Sequence, residues 1–173
     1  GAIDVPKDDR RMHTKAMPRF GGLAIFVGTM ATLCVFAGSN KDILPVIVGG
    51  ALIYALGVAD DLLCLNAKLK FVLQTAIAVV MYYMGLRIKF IANYFGEGHI
   101  YFADAACFII TVLWIVGITN TINLVDGLDG LAAGVAAIAS LSIAYVAYIH
   151  GTQNGMMIVC LAMLAVAGSC IGF

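Results

Sequence analysis

The chain alternates between long apolar runs and short polar interruptions. Residues 21–38 carry no charge, and 43–59 follow the polar turn Ser39-Asn40-Lys41-Asp42. Residues 71–86 follow a mixed loop at 62–70, and further apolar runs occupy 105–119, 131–149 and 155–173, the last two parted by a tight turn at 150–154. A helix needs about 20 residues to cross the hydrocarbon layer at about 1.5 Å per residue. The pattern therefore predicts an all-α, polytopic integral membrane protein with about six transmembrane helices. Pro45 lies near the start of the second run, where a missing N–H costs little. The interruption at 87–104 is different in kind. Residues 88–95 and 99–102 are rich in aromatic and β-branched types around Gly96-Glu97-Gly98, which predicts a short β-hairpin or an interfacial segment. Tyr94, Phe95, Tyr101 and Phe102 suit a membrane interface.

Composition strengthens the membrane reading. The chain is 62% hydrophobic and 12% charged, against roughly a quarter charged in soluble domains, and its mean hydropathy is +1.00. An ordinary soluble domain is excluded. The five cysteines show no CxxC spacing and most lie in apolar runs, so they read as small packed hydrophobes. Residues 1–173 read as one transmembrane domain. The chain starts at Gly1 and stops inside an apolar run, so it is expected to be a fragment lacking an N-terminal helix and a C-terminal half.

Charge then orders the segments. Formal net charge is zero, so the whole-chain balance says nothing about partners; no nucleic-acid partner is expected. Residues 1–20 form a polar arm with Lys7, Arg10, Arg11, Lys15 and Arg19 beside Asp4, Asp8 and Asp9. With this arm in the cytoplasm and each run crossing, the arm, 60–70 and 120–130 share one membrane side. Seven of the ten Lys and Arg residues fall there and three (Lys41, Arg87, Lys89) fall opposite, as the positive-inside tendency requires. The hairpin is then extracytoplasmic. Seven of the ten acids also fall inside (Asp4, Asp8, Asp9, Asp60, Asp61, Asp126, Asp129). Acidic residues do not set orientation, but their clustering places the candidate chemistry on one face. A carboxylate near the bilayer core costs about 2.5–3.5 kcal/mol on insertion scales, which makes such groups functional candidates.

Three stretches can carry chemistry. Asp60-Asp61 closes the second run. Adjacent carboxylates there can bind Mg²⁺ directly or through its waters, take a proton, or sit as a helix terminus at the water interface. The second stretch is Asn120-Thr-Ile-Asn123-Leu-Val-Asp126-Gly127-Leu-Asp129-Gly130-Leu131. Its polar groups recur every third residue, which on a helix makes a broad polar face. A cap for the helix starting at Leu131 accounts for one acid and not for four polar groups. The third is Pro18-Arg19-Phe20-Gly21-Gly22, where backbone N–H groups at a helix start favour anions. By itself it is a weak signal, and His13 is either a phosphate contact or a solvated residue.

Together these stretches resemble the polyprenyl-phosphate N-acetylhexosamine-1-phosphate transferases. The matching text is Ile3-Asp4-x-Pro6, Arg10-Arg11-x-His13, Pro18-Arg19-Phe20-Gly21-Gly22, Gly57-x-x-Asp60-Asp61 with Lys68-x-Lys70, and the stretch from Asn120 to Leu131. Arg19 and Val125 favour the branch that transfers N-acetylglucosamine-1-phosphate in teichoic acid or lipopolysaccharide synthesis over the phospho-MurNAc-pentapeptide branch. The resemblance implies transfer of a sugar-1-phosphate from a UDP-N-acetylhexosamine to undecaprenyl phosphate with release of UMP. It implies Mg²⁺, with Mn²⁺ as a substitute, and a cytoplasm-facing site in the cell membrane; a homodimer is compatible with it. By analogy Asn123 and Asp126 hold metal, and Asp60, Asp61 and Asp126 are catalytic. Lys15, Arg19, Lys70, Asn120 and Asp129 contact substrate. The family's later Met-Gly-Asp segment and basic loop do not occur in these residues, so the 173 residues alone are expected to be inactive. A transporter, in which broken helices and intramembrane acids also occur, and a non-catalytic scaffold are the competing classes.

Overall fold

The computed structural model describes residues 3–4, 17–18, 21–37, 40–93, 95–125, 130–154 and 156–173; for 3–4, 17–18, 21, 37 and 151–154 it describes the backbone alone. Among these residues six helices fall on the six apolar runs: α1 Gly21–Ala37, α2 Leu44–Leu63, α3 Ala67–Tyr83, α4 Asp104–Val125, α5 Leu131–Asn154 and α6 Met157–Ile171. Three contain stretches long and apolar enough to cross a membrane, Leu44–Leu63, Asp104–Val125 and Leu131–His150. Only 6% of the first is buried within the chain, and 22% of each of the others. Large apolar side chains such as Val35, Phe36, Leu113, Trp114, Ile138 and Tyr145 are exposed along the helices. Apolar exposure on this scale suits lipid rather than water as solvent.

The chain divides into two compact units, Asn40–Ile122 and Gly1–Ser39 with Asn123–Phe173. In the first, α2 and α3 form a tight helical hairpin. Pro45 occupies the first turn of α2. Cys64 ends the helix in the left-handed region at φ 51°, its N–H bonded to the Asp60 carbonyl at 2.8 Å. Asn66 then starts α3 by accepting the Lys68 N–H at 3.0 Å. The loop expected over 62–70 therefore shrinks to residues 64–66. The physical reason is an effective N-cap followed by the helix formers Ala67, Lys68, Leu69 and Lys70.

Close packing holds the pair. A Cβ added to Gly49 of α2 would overlap the Cε, Sδ and Cγ of the buried Met81 side chain of α3. Gly49→Val should therefore lower stability by about 1–3 kcal/mol through overpacking. Thermal unfolding in detergent reads this against Gly117→Ala, whose added Cβ meets nothing within 4 Å. A drop for G49V no larger than for G117A would show that the close approach is not needed.

Helix α3 also packs Ala78 against Val112 and Val116 of α4, flanked by Val79, Phe108 and Ile115. Tyr82 meets Phe108 edge-on at 5.1 Å, and the Arg87 guanidinium lies 4.7 Å from the centre of the Tyr82 ring. The expected hairpin is present. β3 Phe90–Ala92 and β4 His99–Tyr101 pair antiparallel, with Ile91 opposite Ile100, and Gly98 takes the positive φ the turn needs. The segment leading into it is tied to α4, where the buried Thr111 hydroxyl accepts the Ile88 N–H at 2.9 Å.

In the other unit Ala144 and Ala147 of α5 pack with Cys160 of α6. Gly28 of α1 lies so close to α6 that an added Cβ would sit 2.8 Å from the Ser169 hydroxyl. Small residues at such crossings let membrane helices approach by packing alone. Cys107, Cys160 and Cys170 are buried free thiols, while Cys34 and Cys64 are exposed. Two features differ from the expectation. Helix α5 continues to Asn154 through the turn expected at 150–154. A two-residue antiparallel ladder joins Ile3–Asp4 (β1) to Met17–Pro18 (β2) within the polar arm; two pairs of residues are too short to leave a periodic signal.

Candidate functional site

Asp60 lies in the last turn of α2 and Lys70 in the first turn of α3. The short connection turns the chain back so that Lys70 Nζ meets Asp60 Oδ2 at 2.6 Å. Both side chains are mostly covered, 24% exposed for Asp60 and 18% for Lys70. This is a charge-assisted contact in partial shelter from water, where it is stronger than at an open surface.

Four residues after Lys70, on the same face of α3, is Gln74, which is 3% exposed. Its Oε1 accepts the Asn120 Nδ2–H of α4 at 2.8 Å. Asp60, Lys70, Gln74 and Asn120 therefore form a polar row across α2, α3 and α4 within one unit. The carboxylate and ammonium come from the helical hairpin, and the two amides cross-link α3 to α4.

Adjacent residues on a helix point about 100° apart. Asp61 accordingly takes a different direction from Asp60 and is exposed. Asn123, three residues after Asn120, is still on α4 and exposed. The helix thus runs past residue 119, where the span was expected to end. Polar side chains are accommodated in it by bonding back to the preceding turn: Thr119 to the Ile115 carbonyl, Asn120 to Val116 and Thr121 to Gly117, each at 2.8 Å. Such back-bonding satisfies the polar group without breaking the helix.

The structure thus brings together Asp60, Lys70 and Asn120 of the expected site residues, with Asp61 next to Asp60 and Asn123 one turn beyond Asn120. Asp126, Asp129, Lys15 and Arg19 lie outside the described residues, as does His13. Among the described residues no three His, Cys, Asp or Glu side chains group as a metal cage. The candidate metal donors are oxygens, carboxylates and an asparagine amide. That set fits a hard cation, which commonly takes one or two carboxylates and completes its shell with substrate phosphate and water. Gln74 is the member of this polar row that sequence reasoning missed. The available signal was a lone amide inside the apolar run 71–86, one helical turn from Lys70.

The chain is similar to known proteins over much of its length. It is 40% identical over 121 residues to a probable undecaprenyl-phosphate N-acetylglucosaminyl 1-phosphate transferase of Bacillus subtilis, covering 69% of this chain and 33% of that protein. It is 34% identical over 132 residues to a decaprenyl-phosphate N-acetylglucosaminephosphotransferase of Mycobacterium tuberculosis, and 34% identical over 131 residues to the protein of that name from Mycobacterium leprae. Each of these alignments covers 69% of this chain and 32% of the relative. The chain thus spans about one third of the length of the curated relatives it matches. No solved structure matches it. The model of glycosyl transferase family 4 matches residues 43–173, a range that holds Asp60, Asp61, Lys70, Gln74, Asn120 and Asn123, and the chain belongs to that family.

Proposed function

We propose that the protein transfers N-acetylglucosamine-1-phosphate from UDP-N-acetylglucosamine to a polyprenyl phosphate, undecaprenyl phosphate first among them. A phosphate oxygen of the lipid attacks the sugar-bearing phosphorus of the nucleotide sugar. The bond from that phosphorus to the bridging oxygen breaks, UMP leaves with the electron pair, and a lipid-linked pyrophosphate forms. Family membership and the names of the relatives support the reaction class. The observation that carries it here is the row that runs from Asp60 and Lys70 at the ends of α2 and α3 to Gln74 and Asn120. Sheltered polar groups of both charge types at helix ends suit binding and orienting phosphates in a membrane.

In this reading Lys70 holds Asp60 in one orientation, and Asp61 is the carboxylate presented to substrate. Asn120 and Asp129 contact the nucleotide sugar, and Lys15 and Arg19 neutralise phosphate charge. Asn123 and Asp126 would hold Mg²⁺, with Mn²⁺ as a substitute. When bound, the ion supplies positive charge against the pyrophosphate oxygens. The six helices are taken as six membrane crossings with the site at the cytoplasmic face of the cell membrane. The product is the first lipid-linked sugar of an envelope polymer.

Proteoliposomes of the full-length protein test the reaction class against transport. With labelled UDP-N-acetylglucosamine and undecaprenyl phosphate, label is expected in the lipid extract in proportion to the acceptor supplied. Label taken up into the lumen with none in lipid would favour a transporter instead.

A further inference from the structure

The Asn120 side chain has a forced orientation. Its Nδ2 is 2.8 Å from the Val116 carbonyl oxygen and 2.8 Å from Gln74 Oε1. A backbone carbonyl can only accept a hydrogen bond, so the NH₂ group must face Val116. One N–H goes to Val116 and the second to Gln74. With both spent, Oδ1 is directed away from these partners as an acceptor. The contact to Val116 is local to α4 and forms in any helix that places Asn there. The contact to Gln74 spans 46 residues of sequence and comes from a side chain that is 3% exposed. Gln74 is itself seated one turn from Lys70, whose partner is Asp60.

A buried amide in an apolar helix costs free energy unless its bonds are made. Here it links α3 to a residue at the candidate site. Helix pairing does not need it, since Ala78, Val112 and Val116 already pack the two helices. We propose that Gln74 is a positioning residue for sugar-phosphate transfer that acts through Asn120. It locks the Asn120 amide so that Oδ1 is presented to the nucleotide sugar. This rests on the functional reading above. Without the Gln74 oxygen, the Asn120 amide keeps only its Val116 anchor, and the side chain can swing about that contact so that Oδ1 is no longer held toward the nucleotide sugar.

Gln74→Met keeps the volume and removes the acceptor. In the full-length protein it should lower kcat/KM about tenfold, as expected for one misdirected hydrogen bond. The loss should appear in KM for UDP-N-acetylglucosamine and leave KM for the polyprenyl phosphate unchanged, whereas general damage to the fold would move both. Asn120→Ala should cost a similar factor, and the double variant should be no worse than the poorer single one within about threefold, because the two residues act as a unit. Melting temperatures of all variants are read in the same detergent, and Gln74→Leu replaces Q74M should the latter fail to fold. Unchanged kcat/KM in Q74M, or losses that multiply to about a hundredfold in the double variant, would overturn the positioning role. A wild-type protein that transfers no sugar phosphate would overturn the functional reading first, and the role with it.

Discussion

Asp60→Asn in the full-length protein is expected to lower sugar-phosphate transfer by about 10²–10³-fold, the range seen when a preorganised electrostatic group is removed from an active site. Lys70→Met should fall in the same range. The two are expected to match because each removes the same 2.6 Å charge-assisted contact from a partly covered position. Removing one member of a sheltered pair is generally worse for the fold than removing both. The combined Asp60→Asn, Lys70→Met variant should therefore regain melting temperature relative to Lys70→Met while remaining as inactive. Activity in Lys70→Met close to wild type, with Asp60→Asn inactive, would separate the two residues and contradict the paired role.

Asp61→Asn should behave differently although it is the next residue. It is expected to lower kcat by about 10²–10⁴-fold, the range for loss of a group that handles a proton or charge in the transition state. Its melting temperature should stay near wild type, because Asp61 is exposed and surface substitutions usually change stability by no more than about 0.5 kcal/mol. The contrast follows from helix geometry, since consecutive side chains leave α2 in different directions. Equal losses of stability in the two variants would show that the Asp60–Lys70 contact does not distinguish them.

Much of the fold was legible in hydropathy alone. Uninterrupted apolar runs such as 131–149 have one stable solution in lipid, because every backbone polar group must be satisfied within the segment. The hairpin was legible from its β-branched and aromatic flanks around Gly96-Glu97-Gly98. Polar residues were the misleading ones. Lys68 and Lys70 read as loop markers, yet the Asn66 cap starts α3 ahead of them. Thr119, Asn120 and Thr121 read as the end of a span, yet each bonds back to its own helix. In both places local hydrogen bonds, which hydropathy does not register, decided the outcome.

The candidate site was legible as a set of residue types and less so as an arrangement. Asp60, Asp61, Asn120 and Asn123 stood out because charge and amides are scarce in this chain. That Lys70 would face Asp60 rather than lie free in a loop depended on a three-residue connection with Cys64 in the left-handed region. Gln74 went unnoticed because one amide in sixteen residues does not disturb an apolar pattern, and its significance comes from its partner on another helix. A tertiary contact of this kind has no local signature.

The central claim is that phosphorus moves with the sugar. UDP-N-acetylglucosamine carrying ³²P in the sugar-linked phosphate distinguishes this directly when incubated with the full-length protein and undecaprenyl phosphate. The predicted result is label in the lipid extract, with unlabelled UMP released in equal amount. Label remaining in water-soluble UDP while N-acetylglucosamine enters the lipid would mean transfer of the sugar alone, and would contradict the account.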